Sequence, residues 1–174
     1  MEEQPGKYQR SFAGMVGAMI LLLVVVAAFV VFREVNRTEP EDPVEPIEWR
    51  GAASYAREEA EFRLLAPRRL PEGWIATSVR FGRQDGQTWH LGLLTDERSY
   101  VGLEQAGDSP STMVEDFVDE EAERGDDVVV DGETWEAWSD EEDEALVREG
   151  EDVTTLVVGT VPQEQLVEFV RSLA

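Results

Sequence analysis

Hydrophobic and polar positions follow two different patterns along the chain. Residues 12–32 form a run of twenty-one residues that are all apolar or glycine, with no charge and no proline. An α-helix rises about 1.5 Å per residue, so this run would span about 31 Å, close to the thickness of a bilayer's hydrocarbon core. From residue 49 onward, short apolar runs alternate with charged ones. The pattern predicts a transmembrane helix over Phe12–Phe32 and a globular domain over residues 49–174.

A cleaved signal peptide is the alternative interpretation of the apolar run. The apolar core of a signal peptide usually has about 7–15 residues and precedes a small-residue cleavage site. Here the run is longer, and the large residues Phe29–Phe32 follow its one pair of adjacent alanines. The orientation of the anchor is a separate question. Two basic residues lie on each side of the apolar run, so the positive-inside rule hardly distinguishes an N-terminus inside the cell from one outside it. We expect a retained anchor, with residues 1–11 cytoplasmic and the domain outside the cell membrane.

Residues 33–48 are predicted to be an acidic linker. Thr38–Glu48 holds three prolines and five acidic residues, a composition that cannot form a core. Such a segment is extended, at about 3.1 Å per residue, and acts as a spacer between anchor and domain.

The domain begins with helical spacing and continues with strand patterns. Alanines at 52, 53, 56 and 60 predict a short helix, and alternation then predicts paired strands. Asp131-Gly132 between two apolar runs is typical of a type I′ hairpin turn. The predicted strands are Trp74–Phe81, Trp89–Leu94, Ser99–Gln105, Val128–Val130, Glu133–Trp135, Ala145–Arg148 and Val153–Gly159.

Two further amphipathic helices are predicted. Ser109-Pro110 provides a cap and a first-turn proline for a helix whose apolar positions include Met113, Val114 and Phe117. The last helix has Thr160 and Gln163 at capping-box spacing, followed by apolar positions 166, 169, 170 and 173. Hairpin-connected strands with such helices predict an α+β domain of two layers, an antiparallel sheet with helices packed on one face.

His90 is the chain's one histidine and falls within a predicted strand. As a general base it would need a nucleophile or an orienting acid nearby. If the turn at Asp96-Glu97 pairs Leu94 with Ser99, Glu104 lies on the face opposite His90. This pairing therefore favours a structural, hydrogen-bonded histidine.

Charge and composition exclude several classes of function. The formal net charge is −23, and residues 38–174 contain 35 of the acidic but only 11 of the basic residues. Such a surface repels nucleic acid and anionic lipid headgroups. The acidity fits either a solvated surface or a docking face for a basic partner. With no cysteine and one histidine, we expect no transition-metal site and no cofactor.

The run Ser139–Glu144 contains five consecutive acids. It lacks the ligand spacing of a calcium-binding loop, so a solvated hairpin loop is favoured over a metal site. No phosphate-binding glycine motif and no G-x-S-x-G motif occurs, and we expect no enzymatic activity.

Tryptophans are the most distinctive candidate binding residues. Trp135 and Trp138 lie three residues apart, so on one strand they would point to opposite faces unless a bulge intervenes. Core packing is the simple explanation of these aromatics, and an aromatic-walled groove for a lipid tail or peptide is the alternative. The candidate ligand-binding or partner-binding residues are Trp74, Trp89, Trp135 and Trp138.

A series of short motifs in order along the chain resembles an uncharacterised, membrane-anchored actinobacterial family, domain of unknown function 4245. The motifs include Leu70-Pro71-x-Gly73-Trp74, Trp89-His90-Leu91-Gly92 and Tyr100-x-Gly102-Leu103-Glu104-Gln105, with Asp131-Gly132-x-Thr134-Trp135 further on. The resemblance implies one N-terminal membrane helix and one extracytoplasmic domain, with no assigned activity.

Together these patterns predict a single-pass envelope protein whose external domain binds or senses a partner. The alternatives are a small-ligand binder that accepts a lipid-like molecule between sheet and helices, and an envelope hydrolase. The sequence leaves the partner and the oligomeric state open.

Overall fold

The computed structural model describes residues 44–82 and 86–174, and in addition Met19, Leu22, Val25 and Val26. These four residues are helical and exposed. The rest of the predicted transmembrane helix, the N-terminal segment 1–11 and most of the linker lie outside the described residues. No helix among the described residues combines the length and the apolar character needed to cross a membrane.

Residues 44–174 form one compact unit built on an antiparallel sheet. The sheet has eight strands in the order β1-β2-β3-β8-β7-β6-β4, with β5 paired to β6. Its strands are β1 Ile75–Gly82, β2 Thr88–Leu94, β3 Tyr100–Ala106, β4 Glu123–Arg124, β5 Val128–Val130, β6 Glu133–Ser139, β7 Glu144–Glu149 and β8 Thr154–Gly159. The helices are α1 Arg50–Glu59, α2 Pro110–Phe117 and α3 Gln163–Arg171. The α+β class and the antiparallel sheet are confirmed.

The strands form two three-stranded meanders that meet at the centre of the sheet. The first contains β1, β2 and β3, and the second contains β6, β7 and β8. The junction is the pairing of β3 with β8, where Leu103 lies opposite Val157. Both side chains are fully buried. The hairpin turn at Asp131-Gly132 has positive φ at both residues, as a type I′ turn requires.

The prediction that all helices pack on one face is wrong. Alternate residues of β7 belong to different cores: Leu146 is part of the core that contains residues of α1 and α3, whereas Ala145 and Val147 share a core with Met113 and Val114 of α2. Helix α2 therefore covers the opposite face. The physical reason is that β7 and β8 are apolar on both sides, so both faces of the sheet centre need cover.

The termini of the helices match the sequence pattern in one case and differ in another. Ser109 caps α2, because its Oγ accepts a hydrogen bond from the Thr112 amide at 3.3 Å. The capping box predicted for α3 is wrong: its N-cap residue is Pro162. Thr160 instead accepts a hydrogen bond from the Tyr100 amide, so its side chain holds the sheet and not the helix.

Gln105 ties the irregular segment after α1 to the sheet. Its side chain is almost fully buried. The amide oxygen accepts from the Leu65 backbone at 2.7 Å, while the nitrogen donates to the Arg63 carbonyl and to Thr155 Oγ1. The Gln105 side chain therefore supplies the hydrogen bonds to this segment that strand pairing would supply to a regular strand.

Candidate functional site

The first candidate site is on the face of the sheet that carries α2, over strands β1 to β3. We call this part of the face the open half-face, and define it by the residues Ser78, Arg80, His90, Leu94, Tyr100 and Glu104. Helix α2 packs over β7 and β8, and most residues of the open half-face remain at least partly exposed. Glu104 is the buried member of the group.

The register of β2 and β3 brings His90 and Glu104 together, and the predicted register is wrong. Leu94 pairs with Tyr100 and His90 pairs with Glu104. The loop is one residue longer than expected because Arg98 adopts positive φ, 65°, after the turn. A shift of one residue moves every side chain of a strand to the other face. Glu104 therefore shares the face of His90.

Ser78, His90 and Glu104 form a hydrogen-bonded row across three neighbouring strands, here called the polar triad. Ser78 Oγ lies 2.7 Å from His90 Nε2, and His90 Nδ1 is hydrogen-bonded to Glu104 Oε1. A carboxylate only accepts hydrogen bonds, so Nδ1 carries the proton. In the neutral imidazole Nε2 then accepts, and the Ser78 hydroxyl donates to it.

Two glycines make room for side chains on this face: Gly92 for the polar triad, and Gly102 for Tyr100. Gly92 and Gly102 are a directly opposed pair, and the Tyr100 ring lies over them. A Cβ on Gly92 would collide with Ser78 Oγ and would lie 3.3 Å from His90 Nε2 and 3.4 Å from Tyr100 Cε2. The space that these two glycines leave is therefore on one face of the sheet, and the Tyr100 ring lies in it.

Tyr100 has an unusual environment at the edge of this group. Burial, the Glu104 carboxylate and the Asp143 carboxylate together raise the pKa of Tyr100 to about 12. The phenol therefore stays protonated and can donate a hydrogen bond throughout the physiological range.

The second candidate site is an acidic basin of about 690 Å³. It is lined by Ser139 and seven acids: Asp119, Glu121, Glu123, Asp140, Glu141, Glu142 and Asp143. Strand β4 holds the two acidic segments together, because Glu123 pairs with Ser139 of β6. The loop Asp140–Asp143 is itself ordered by Asp140, whose carboxylate accepts from the amides of residues 142 and 143.

The carboxylates of this basin differ in environment. Hydrogen bonds from the backbone of Asp143 and Glu142 lower the pKa of Asp140. Burial, followed by the charges of Asp140 and Glu142, raises the pKa of Asp143. Over residues 44–82 and 86–174, no three acidic or histidine side chains are arranged to hold a metal ion.

The four tryptophans do not form one aromatic groove. Trp89 and Trp135 are buried, and Trp74 stacks on Phe169 with ring centroids 5.8 Å apart. All three belong to the core beneath α1 and α3, whereas Trp138 packs beside α2 on the other face. Trp135 also lines a cavity of about 220 Å³ with Arg148, which lies over its ring.

The hydroxyl, imidazole and carboxylate of the polar triad were each visible in the sequence, but their association was not. The sequence signal for this association is the alternation of side-chain direction along each strand. It places positions 78, 90 and 104 on one face of the sheet only when the β2–β3 loop has its observed length. The structure therefore defines an α+β domain with a serine–histidine–glutamate row on an exposed sheet face.

A family model described as a protein of unknown function (DUF4245) matches residues 7–173, and the chain belongs to that family. The family resemblance seen in the motifs is thereby confirmed. No curated protein matches the chain.

Proposed function

We propose that this chain is a single-pass, membrane-anchored envelope protein whose external domain binds a protein partner with a basic surface. The anchor is Phe12–Phe32, and the acidic linker separates it from the domain. The uncharged run of twenty-one residues supports the anchor, because a helix of about that length spans the hydrocarbon core and makes all its backbone hydrogen bonds internally.

The acidic basin is the observation that carries the partner proposal. Seven carboxylates on two segments surround one concavity, and β4 fixes the distance between the segments. Since the basin lacks the convergent geometry of a metal site among the described residues, its charge suits a spread of lysines or arginines better than one small ion.

The pKa of Asp143 supports a cationic occupant. Burial and the two neighbouring carboxylates disfavour its ionised form, so a nearby positive charge would relieve that repulsion. Each exposed ion pair contributes only about 0.2–1 kcal/mol, but a strongly charged surface speeds association by about 10- to 1,000-fold. We therefore expect binding that is fast and sensitive to salt.

The test is capture of partners by the full-length protein, cross-linked in its own membranes and extracted in mild detergent. The basin variant replaces Glu121, Glu123, Glu141 and Glu142 with glutamine. The control variant replaces Glu58, Glu61, Glu72 and Glu149, which are exposed elsewhere, and so has the same net charge. We expect the control to retain a discrete basic partner and the basin variant to lose it. Equal capture by the two variants would contradict the proposal.

A small-ligand binder is the second candidate function, and the cavity beside Trp135 favours it. The cavity lies between β5, β6 and α3, with Val130, Trp135 and Val170 among its walls. Its volume of about 220 Å³ is below the roughly 300–1,000 Å³ of pockets for drug-sized ligands, so it suits a small molecule and not a lipid tail. Native mass spectrometry of the purified protein tests this: a co-purifying small molecule that is lost in Trp135→Ala would support it.

A further inference from the structure

We infer that Ser78 is an activated nucleophile, and that the polar triad transfers acyl groups from esters to water. The inference rests on a surface distinct from the acidic basin and goes beyond partner binding. The arrangement has the three parts that serine nucleophiles need: a hydroxyl, a base that takes its proton, and an acid that orients the base.

The hydrogen bonds are directed in the productive sense. Glu104 holds the proton on His90 Nδ1, and the lone pair of Nε2 faces the Ser78 hydroxyl at 2.7 Å. When the serine attacks, its proton has an acceptor already in place, and the carboxylate stabilises the imidazolium that forms.

The exposed fraction of each side chain in the polar triad fits its proposed role. The Glu104 side chain is 7% exposed and that of His90 is 19% exposed, while Ser78 is half-buried. The orienting carboxylate is therefore shielded from water, whereas the nucleophile and base can be reached from solvent. Glu104 touches no reacting atom and is a positioning residue.

Arg80 indicates the class of ester. It lies directly opposite His90 and two residues from Ser78, so its side chain shares their face. It is exposed and makes no ion pair among the described residues. A guanidinium beside the nucleophile favours an ester that carries a carboxylate or phosphate group close to the scissile bond.

The reaction balances with water as the second reactant. A bond forms between Ser78 Oγ and the acyl carbon, and the hydroxyl proton moves to Nε2 of His90. The bond from carbon to the leaving oxygen then breaks, and Nε2 returns the proton to that oxygen. Water repeats the sequence on the acyl-enzyme, releases the carboxylic acid and restores the serine.

The test is labelling of the full-length protein in detergent with a fluorophosphonate. Ser78 Oγ forms a bond to phosphorus as the bond to fluorine breaks, and the serine proton leaves through His90. We expect intact mass and peptide mapping to show one adduct, on Ser78. Ser78→Ala should abolish it, and His90→Asn should slow it by at least about 100-fold. Ser99→Ala, in the β2–β3 loop, is the matched control and should label at the native rate.

Two further variants separate chemistry from folding. Gly92→Ala removes no member of the polar triad but displaces Ser78 Oγ, so it should lose the adduct while retaining the native far-ultraviolet circular dichroism. Glu104→Gln should change the pH profile of labelling, which a purely structural carboxylate would leave unmoved. No adduct on Ser78, or an adduct formed at the native rate in His90→Asn, would overturn the inference.

Discussion

His90 lies directly opposite Glu104 across strands β2 and β3, and its Nδ1 is hydrogen-bonded to the Glu104 carboxylate. The glutamate is among the buried polar residues of the sheet, with a side chain that is 7% exposed. A buried carboxylate loses its hydration, so this bond compensates part of the cost of placing it there.

Glu104→Ala should therefore destabilise the fold. The change leaves the His90 Nδ1–H group without its acceptor and should lower the free energy of unfolding by about 1–3 kcal/mol. Urea unfolding followed by tryptophan fluorescence measures it. Glu149→Ala, at the exposed end of β7, is the control and should change stability by less than about 0.5 kcal/mol. Equal effects in the two variants would show that the hydrogen bond contributes nothing.

Tyr100 should ionise at a higher pH than an ordinary tyrosine. Its folded-state pKa of about 12 exceeds the ordinary value of 10.0, because of burial first and of Glu104 and Asp143 next. The unfolded chain releases this proton more readily, so the group lowers the stability of the fold as pH rises from about 10 to about 12, and not below that range. Phenolate absorbance should show a late titration step that Tyr100→Phe removes. A step that persists in this variant would assign the shift to another tyrosine.

Asp140 and Asp143 should respond to the same substitution with opposite signs. The pKa of Asp140 is lowered by backbone hydrogen bonds, so its charge stabilises the fold above pH about 4, and Asp140→Asn should be destabilising at neutral pH. The pKa of Asp143 is raised by burial and neighbouring charges, so Asp143→Asn should be stabilising.

Both effects should be less than about 1 kcal/mol, because these positions are largely exposed and screened by solvent. The midpoint of thermal unfolding at neutral pH measures them. The stabilisation by Asp143→Asn should vanish below the ordinary aspartate pKa of 3.8, where both states are protonated. Shifts of the same sign in the two variants would contradict the proposed environments.

Gln105→Leu should be costly although it places an apolar side chain in a buried site. It removes three hydrogen bonds and leaves the Leu65 amide without an acceptor, which should cost at least about 2 kcal/mol. Thr155→Val removes only one of these bonds and should cost about half as much. Denaturant unfolding distinguishes them, and a Gln105→Leu variant as stable as Thr155→Val would show that the segment near Leu65 is held by packing.

Alternation and turn chemistry predicted most of the sheet, because each hairpin is a local feature. Asp131-Gly132 gives the turn after β5 directly, since both positions tolerate positive φ. Arg98 carries no such signal, yet it adopts positive φ and lengthens the β2–β3 loop by one residue. That single residue hid the association of His90 with Glu104.

Non-local packing accounts for the other differences. The apolar stripe of α2 contains Met113 and Val114 whichever face of the sheet the helix covers. Its helical period therefore does not predict which face that is. The face follows from the uninterrupted apolar runs of β7 and β8, which indicate strands buried on both sides. The acidic basin was predicted only as a solvated loop, because the pairing of Glu123 with Ser139 joins segments distant in sequence.

The junction of β3 with β8 also sets the order in which this domain can be completed. The partner of Leu103 is Val157, which comes 54 residues later in the chain. The hairpins on either side of the junction, in contrast, pair strands that are neighbours in the sequence. A chain emerging from the ribosome, or threading through a translocation channel, can form β1–β3 early but leaves one edge of β3 without its partner until β8 arrives. Contacts between distant residues also form slowly. Any factor that shields a nascent sheet edge would therefore act on β3 during this interval.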